Sequence, residues 1–173
     1  MRKKLVGLCL IFVALGISHA QQRAGAPSQE VKDFILVDSP LVALTHARVI
    51  DGTGAAARAD QTIIISGGRI QSVKDSAGAR VPDGAKVIDL TGKSVIPGLV
   101  MMHEHMFYPA GRLVLFNEMD WSFPRLYLAC GITTLRTAGS VEPYTDLNLK
   151  RLIDTGRIPG PHLNITGPYL DGE

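Results

Sequence analysis

Residues 95–105 read VIPGLVMMHEH, and this stretch decides how the rest of the chain is interpreted. A Pro-Gly pair leads into a short apolar run that ends in His103 and His105. In a β-strand, side chains two residues apart project from the same face, so the two imidazoles can converge on one metal ion while Glu104 points the other way. Two histidines that merely lie together in a loop are the alternative, and the surrounding sequence decides between them.

The sequence before this stretch has the texture of a β-rich module. Short β-branched runs are separated by glycine-containing spacers, and they cover residues 41–45, 47–50, 61–65, 69–73 and 86–90. Glycine supplies the positive φ that tight turns require, so spacers such as 66–68 predict hairpins between neighbouring strands.

The sequence after Pro97 has a longer period. Strand-like runs recur at 99–102, 132–135 and 162–165, about 30 residues apart. The intervals carry helical patterns, one beginning at Ser122 and the other spanning Thr145 to Thr155. This alternation is typical of βα units with a parallel sheet. A complete (β/α)₈ barrel takes about 250 residues, so we expect only its beginning here.

The first 20 residues read as a secretory signal peptide. Basic residues open the chain, residues 5–17 form an apolar core, and Ser18-His19-Ala20 places small residues at the −3 and −1 positions of a cut before Gln21. An uncleaved anchor or a buried helix is the alternative. We therefore predict a secreted or periplasmic protein without a stable membrane anchor after cleavage. Residues 21–40 are polar and irregular, which predicts a flexible lead-in.

The charge and the cysteine content argue against nucleic-acid binding, membrane binding and an intrachain disulfide. The formal net charge is +2, and three of the positive charges lie in the first four residues. The mature chain therefore lacks the basic field that nucleic acids or anionic membranes require. After removal of the leader, Cys130 is the single cysteine, so an intrachain disulfide cannot form.

Several pieces of sequence together carry a resemblance to a known family. They are residues 45–54, the 64–73 hairpin, 95–105, 131–136 and 160–161, within a region of about 41–170. In this combination the chain resembles the amidohydrolase superfamily, particularly the imidazolonepropionase and Xaa-Pro dipeptidase branch. The resemblance implies the N-terminal part of a small β-sandwich over residues 41–97. It further implies the first part of a TIM-like (β/α)₈ hydrolase barrel over 98–173, truncated after about three barrel strands.

The resemblance also implies a metal site and a reaction. His103 and His105 would be ligands of a divalent metal ion, of which the full-length parent would hold one or two. Imidazole ligands suit Zn²⁺ best, with Fe, Co and Mn left open. The remaining ligands and the general base would lie beyond Glu173, so no catalytic residue is expected in this chain, which alone would be inactive. The implied reaction is hydrolysis of an amide, cyclic amide or dipeptide C–N bond in a small-molecule or dipeptide-like substrate by metal-activated water.

A few residues depart from the family pattern or stay open. Many relatives carry Asp where this chain has Met101, and strand alternation predicts Met101 on the face shared by the imidazoles. Arg136 and Tyr169 lie near strand ends, where substrate contact and packing are equally compatible with the sequence. His46 and His162 do not align with family ligands and are interpreted as ordinary strand or loop residues.

A rival interpretation belongs to another functional class. The chain could be a non-catalytic, secreted β-sandwich binding module in which the two histidines are structural. That interpretation requires the apolar residues of the βα segment to be covered without further barrel strands, and uncovered strand edges favour aggregation.

Overall fold

The computed structural model of the chain describes residues 26–112 and 115–170. The predicted signal peptide and its cleavage site lie outside these ranges. Within them, no helix is long and apolar enough to cross a membrane. The helices and strands in chain order are α1 Gln29–Lys32, β1 Leu41–Val49, β2 Arg58–Ser66, β3 Arg69–Asp75, β4 Lys86–Asp89, β5 Ser94–Val95, β6 Leu99–Glu104, β7 Phe107–Ala110, β8 Leu115–Glu118, α2 Ser122–Ala129, β9 Ile132–Thr137, α3 Pro143–Asp154 and β10 His162–Asn164.

Strands β1 to β5 form a mixed sheet in the order β3-β2-β1-β4, with β5 also pairing with β1. The β2–β3 turn holds Gly67 and Gly68 at φ +56° and +73°, which confirms the hairpin predicted there. The predicted sandwich part is thus seen as one five-stranded sheet in the described residues. The local sequence predicts the pairing of consecutive strands well, because a tight turn places them side by side. It predicts the stacking of a second sheet less well.

Strand β1 is continuous, although the sequence predicts two runs separated at His46. His46 has a φ of +56° and lies at a register shift against β2, so it is the bulge residue at which the strand bends. Its Nδ1 lies 2.7 Å from Oδ1 of Asp60. On either side of the bulge, β1 pairs in parallel first with β4 and then with β5. His46 therefore has a local structural role.

Strands β6, β9 and β10 form a separate parallel sheet in the order β10-β9-β6. Helices α2 and α3 connect them, as the alternating pattern predicts. Leu135 and Leu163 from the sheet are fully buried with Leu149 of α3 and Tyr127 of α2, forming the core of this part. Helix α2 begins at Ser122, where the sequence pattern predicts its start, and its N-cap is Trp121, whose side chain makes no capping hydrogen bond.

The two sheets are joined by a short connection. Val95 accepts a hydrogen bond from the backbone N–H of Ile50, and β6 begins at Leu99. Between them, Gly98 lies against Thr133, where a Cβ on residue 98 would come within 2.1 Å of the threonine Oγ1. This glycine is therefore required by the close approach of the neighbouring strand.

The predicted lead-in is more ordered than the sequence suggests. Ser28 caps α1 by accepting a hydrogen bond from the backbone N–H of Val31, and its hydroxyl donates to the carbonyl of Arg157 at 2.7 Å. Glu30 forms an ion pair with Arg125 of α2. Residues 28–33 are thus attached to the helical side of the β6–β9–β10 sheet, because a short polar sequence can be fixed by partners distant in the chain.

Candidate metal site

The His-x-His pair lies at the carboxyl end of β6. His103 belongs to the strand and His105 follows its last residue. The two imidazole centroids are 5.3 Å apart with an interplanar angle of 86°. The side chains thus project to a common side, as the strand alternation predicts.

Glu104 points towards helix α2. Its Oε2 accepts a hydrogen bond of 2.9 Å from the phenol of Tyr127, whose side chain is buried. Burial and the adjacent Glu104 carboxylate raise the pKa of Tyr127, so this phenol stays a hydrogen-bond donor. The contact agrees with the expected orientation of Glu104 and fixes the strand end that carries the histidines.

The prediction for Met101 is wrong. Met101 pairs with Leu135 and Glu104 pairs with Thr137, with a register shift between the two pairs. Leu135 and Thr137 are two residues apart and share a face, so Met101 and Glu104 share the helix-facing side as well. Met101 packs against the buried core there. A bulge in β6 has reversed the parity that simple alternation gives this residue.

His105 is held by groups on two other segments. Its Nδ1 lies 3.2 Å from the carbonyl oxygen of Gly139 and 3.2 Å from the hydroxyl of Tyr169. A carbonyl oxygen only accepts, so it favours the tautomer with the proton on Nδ1 and leaves Nε2 with a free lone pair. Gly139, at φ +110°, permits this approach, because a Cβ there would lie 2.3 Å from the Tyr169 ring. The structure thus places the Tyr169 side chain beside His105.

Two carboxyl groups lie near the same region, and the sequence analysis did not single them out. Asp146 is 2% exposed in the first turn of α3, and burial raises its pKa, although a hydrogen bond with Ser140 and the electrostatic influence of the nearby His105 ring oppose the shift. Burial and the negative charge of Asp146 raise the pKa of Glu118. Glu118 and Asp146 are distant in the chain and are brought near each other by the fold, so no local sequence motif indicates them.

Two further residues considered in the sequence analysis lie on the neighbouring strands. Arg136 is exposed on β9, and His162 is exposed on β10.

Across residues 26–112 and 115–170, no group of three or more His, Cys, Asp or Glu side chains is arranged to hold a metal ion. The donor set of His103 and His105 suits zinc, but it supplies two protein ligands where catalytic zinc sites usually have three. The pair therefore fits part of a metal site.

Sequence comparisons find relatives among hydrolases, and no family model matches the chain. An imidazolonepropionase from Streptomyces avermitilis is 33% identical over 97 residues, which cover 55% of this chain and 22% of that protein. A dihydroorotase from Thermoanaerobacter is 44% identical over 66 residues, covering 38% of this chain and 14% of that protein. This chain thus spans less than a quarter of the length of these relatives.

Solved structures give a wider match. A structure from Bifidobacterium longum described as a prolidase is 31% identical, with a TM-score of 0.60 over 74% of this chain and 30% of that one. A Xaa-Pro dipeptidase with methionine bound in its active site is 24% identical, with a TM-score of 0.64 over 74% of this chain and 33% of that one. Sequence and structure together show that this chain belongs to the amidohydrolase superfamily.

Proposed function

We propose that His103 and His105 are the first two metal ligands of a hydrolase that cleaves C–N bonds in small-molecule or dipeptide-like substrates. The observation that carries the proposal is the meeting of two imidazoles at the carboxyl end of a parallel strand, with centroids 5.3 Å apart. In (β/α)₈ barrels the active site lies at this end of the strands. Strands β6, β9 and β10 would then be the first three barrel strands.

The residues of the chain have separable roles in this proposal. His103 and His105 would bind the ion, and the Gly139 carbonyl would orient the His105 ring so that Nε2 faces it. A bound divalent ion, Zn²⁺ in the first instance, would lower the pKa of water and polarise the scissile carbonyl. The Tyr127–Glu104 hydrogen bond would hold the end of β6 in place from the opposite side.

Export with cleavage of a signal peptide is part of the proposal. The basic, apolar and small-residue succession over residues 1–20 supports cleavage after Ala20 and a secreted or periplasmic location. Mass spectrometry of protein recovered from the periplasm or medium should give a chain that begins at Gln21. Exported protein that retains Met1 would contradict the assignment.

The metal-ligand proposal is tested with protein expressed from its complete coding sequence. His103→Ala and His105→Ala should each lower the zinc content and reduce kcat/KM on amide or dipeptide substrates by orders of magnitude. Glu104→Gln is the matched control, because it lies between the two histidines but faces Tyr127 and keeps an oxygen acceptor. Elemental analysis and steady-state kinetics on the three variants give the answer.

The outcomes separate the hydrolase from its rival. Zinc content and activity that fall together in both histidine variants, but not in Glu104→Gln, support the proposal. A folded protein that binds no divalent metal and hydrolyses no C–N substrate, with either histidine replaced at no cost, would favour the non-catalytic binding module.

A further inference from the structure

The segment that follows the histidine pair is a β-hairpin that the sequence analysis does not predict. Strand β7 begins at Phe107, and β8 ends at Glu118. The hairpin is anchored at its base by Met106, which is 1% exposed, and by a 2.8 Å hydrogen bond from the N–H of Met119 to the carbonyl of Met106. Its position relative to His105 is therefore set by the core.

One face of this hairpin is aromatic and continues from the histidines. The ring of Phe107 lies 4.9 Å from that of His105, and the ring of Phe116 lies 5.4 Å from that of Phe107. The register pairs Phe116 with Pro109, so strand alternation puts Phe107 and Phe116 on the same face. Tyr169 lies 6.2 Å from His105, which adds a third aromatic ring to its surroundings.

Part of this aromatic surface is accessible. Phe116 is 47% exposed and Tyr169 is 50% exposed. Covering such surface with an apolar group is favourable, and aromatic pairs at these separations add a geometric preference. The charges near the hairpin base are negative, since Glu118 lies in the field of Asp120, Glu142 and Asp146. An additional anionic group would therefore be repelled there.

We propose that the Phe107 and Phe116 face of the hairpin is a specificity-determining surface that receives a neutral, preferably aromatic, substituent of the substrate. The inference rests on the proposed function, because it takes the histidine pair as the place where the reacting group binds. Phe107 would contact both the metal-ligand ring and the substituent, while Phe116 would contact the substituent without touching either histidine.

Three phosphonates test the inference by binding alone. The probes are methylphosphonate, benzylphosphonate and 4-carboxybenzylphosphonate, titrated calorimetrically into zinc-loaded protein expressed from its complete coding sequence. The phosphonate group is common to all three, so differences in Kd report on the substituent. Benzylphosphonate should bind about tenfold more tightly than methylphosphonate, and the added carboxylate should remove most of that gain.

Variants of the hairpin test which side chain causes the preference for the benzyl group. Phe116→Ala should reduce the benzyl preference to about twofold or less, and Phe116→Leu should retain an intermediate preference because apolar bulk remains. Leu115→Ala is the matched control, since Leu115 is 60% exposed on the adjacent position of the same strand and points to the opposite face. It should leave the preference unchanged.

Each result has a definite meaning. Bound zinc with equal affinity for benzyl and methyl probes would overturn this inference and leave the metal-ligand proposal standing. A benzyl preference that survives Phe116→Ala in folded, zinc-loaded protein would also overturn it. If elemental analysis detects no zinc after loading, the metal-ligand proposal fails, and the inference fails with it.

Discussion

The hydroxyl of Tyr169 lies 3.2 Å from Nδ1 of His105. This links the loop after β10 directly to the end of β6. The same nitrogen faces a backbone carbonyl, so Tyr169 is an additional partner for a ring already oriented from a second direction. Groups that orient a metal-ligating histidine typically influence affinity for the ion.

Removal of this hydroxyl should weaken metal binding without abolishing it. For Tyr169→Phe we expect a loss of zinc affinity of about tenfold, at the low end for such partners, because the carbonyl partner remains. Competition with a chromophoric chelator measures the affinity. Tyr144→Phe is the control, since Tyr144 is 84% exposed on α3. Equal zinc affinity in wild type and Tyr169→Phe would show that the hydroxyl has no orienting role.

A side chain at position 139 should displace Tyr169. In Gly139→Ala, the new Cβ would lie 2.3 Å from the Tyr169 ring and the residue would be held at φ +110°. Gly131→Ala separates the two effects, because Gly131 also has a positive φ, of +79°, but has open space around it. Both variants should lose thermal stability, whereas only Gly139→Ala should also lose zinc affinity. An equal loss of zinc affinity in both would point to backbone strain alone.

The Tyr127 hydroxyl should contribute to folding. Tyr127→Phe leaves the Glu104 carboxylate without its donor in a half-buried environment, and we expect a loss of about 1–3 kcal/mol in the free energy of unfolding. Urea denaturation at constant m-value measures it. Tyr108→Phe, at a side chain 60% exposed, should change the midpoint little. An unchanged midpoint in Tyr127→Phe would mean that water replaces the phenol at no cost.

Stability should decrease as pH rises above the usual carboxyl range because of Asp146. Burial raises its pKa from the ordinary value of 3.8, so the folded protein retains a proton that the unfolded chain has released. The stabilisation is fully present below the unfolded pKa and is lost as pH rises through the folded pKa. Asp146→Asn should flatten this decline, partly because it also removes a negative charge that raises the pKa of Glu118.

Thermal unfolding midpoints from pH 4 to pH 7 measure the effect. Asp83→Asn replaces an exposed aspartate in a loop of the first sheet and should leave the decline as it is in wild type. A decline of equal slope in wild type and Asp146→Asn would show that other groups cause the pH dependence.

Local sequence predicted those parts of the fold that depend on local physics. The Gly67-Gly68 turn and the three parallel strands follow from turn chemistry and from apolar spacing, and each is present. The common orientation of His103 and His105 could also be predicted from the sequence, because it depends on their spacing at the end of a single strand. Helix α3 spans Pro143–Asp154 where the sequence predicts Thr145 to Thr155, so it begins two residues earlier and ends one residue earlier.

The features that were missed depend on partners distant in the chain. The parity of Met101 is set by its register against β9, which a single strand does not encode. The β7–β8 hairpin has an apolar, aromatic sequence with Pro109 inside it, and proline argues against an interior strand although a two-stranded hairpin tolerates it. Asp146 reaches the site region through the packing of α3. These features are therefore determined by tertiary contacts, which the periodicity of the sequence does not reveal.

The contact between Gly98 and Thr133 has a consequence for protein engineering. Gly98 of the Pro-Gly pair is constrained by Thr133, which lies much later in the chain. The side chain that is tolerated at one of these positions therefore depends on the residue at the other. An alanine at position 98 should be accepted only when Thr133 is first replaced by glycine, because the Thr133 Cβ itself would lie 2.9 Å from the new methyl group. Libraries that vary the stretch before the histidines while holding Thr133 constant would discard sequences that a paired library would recover.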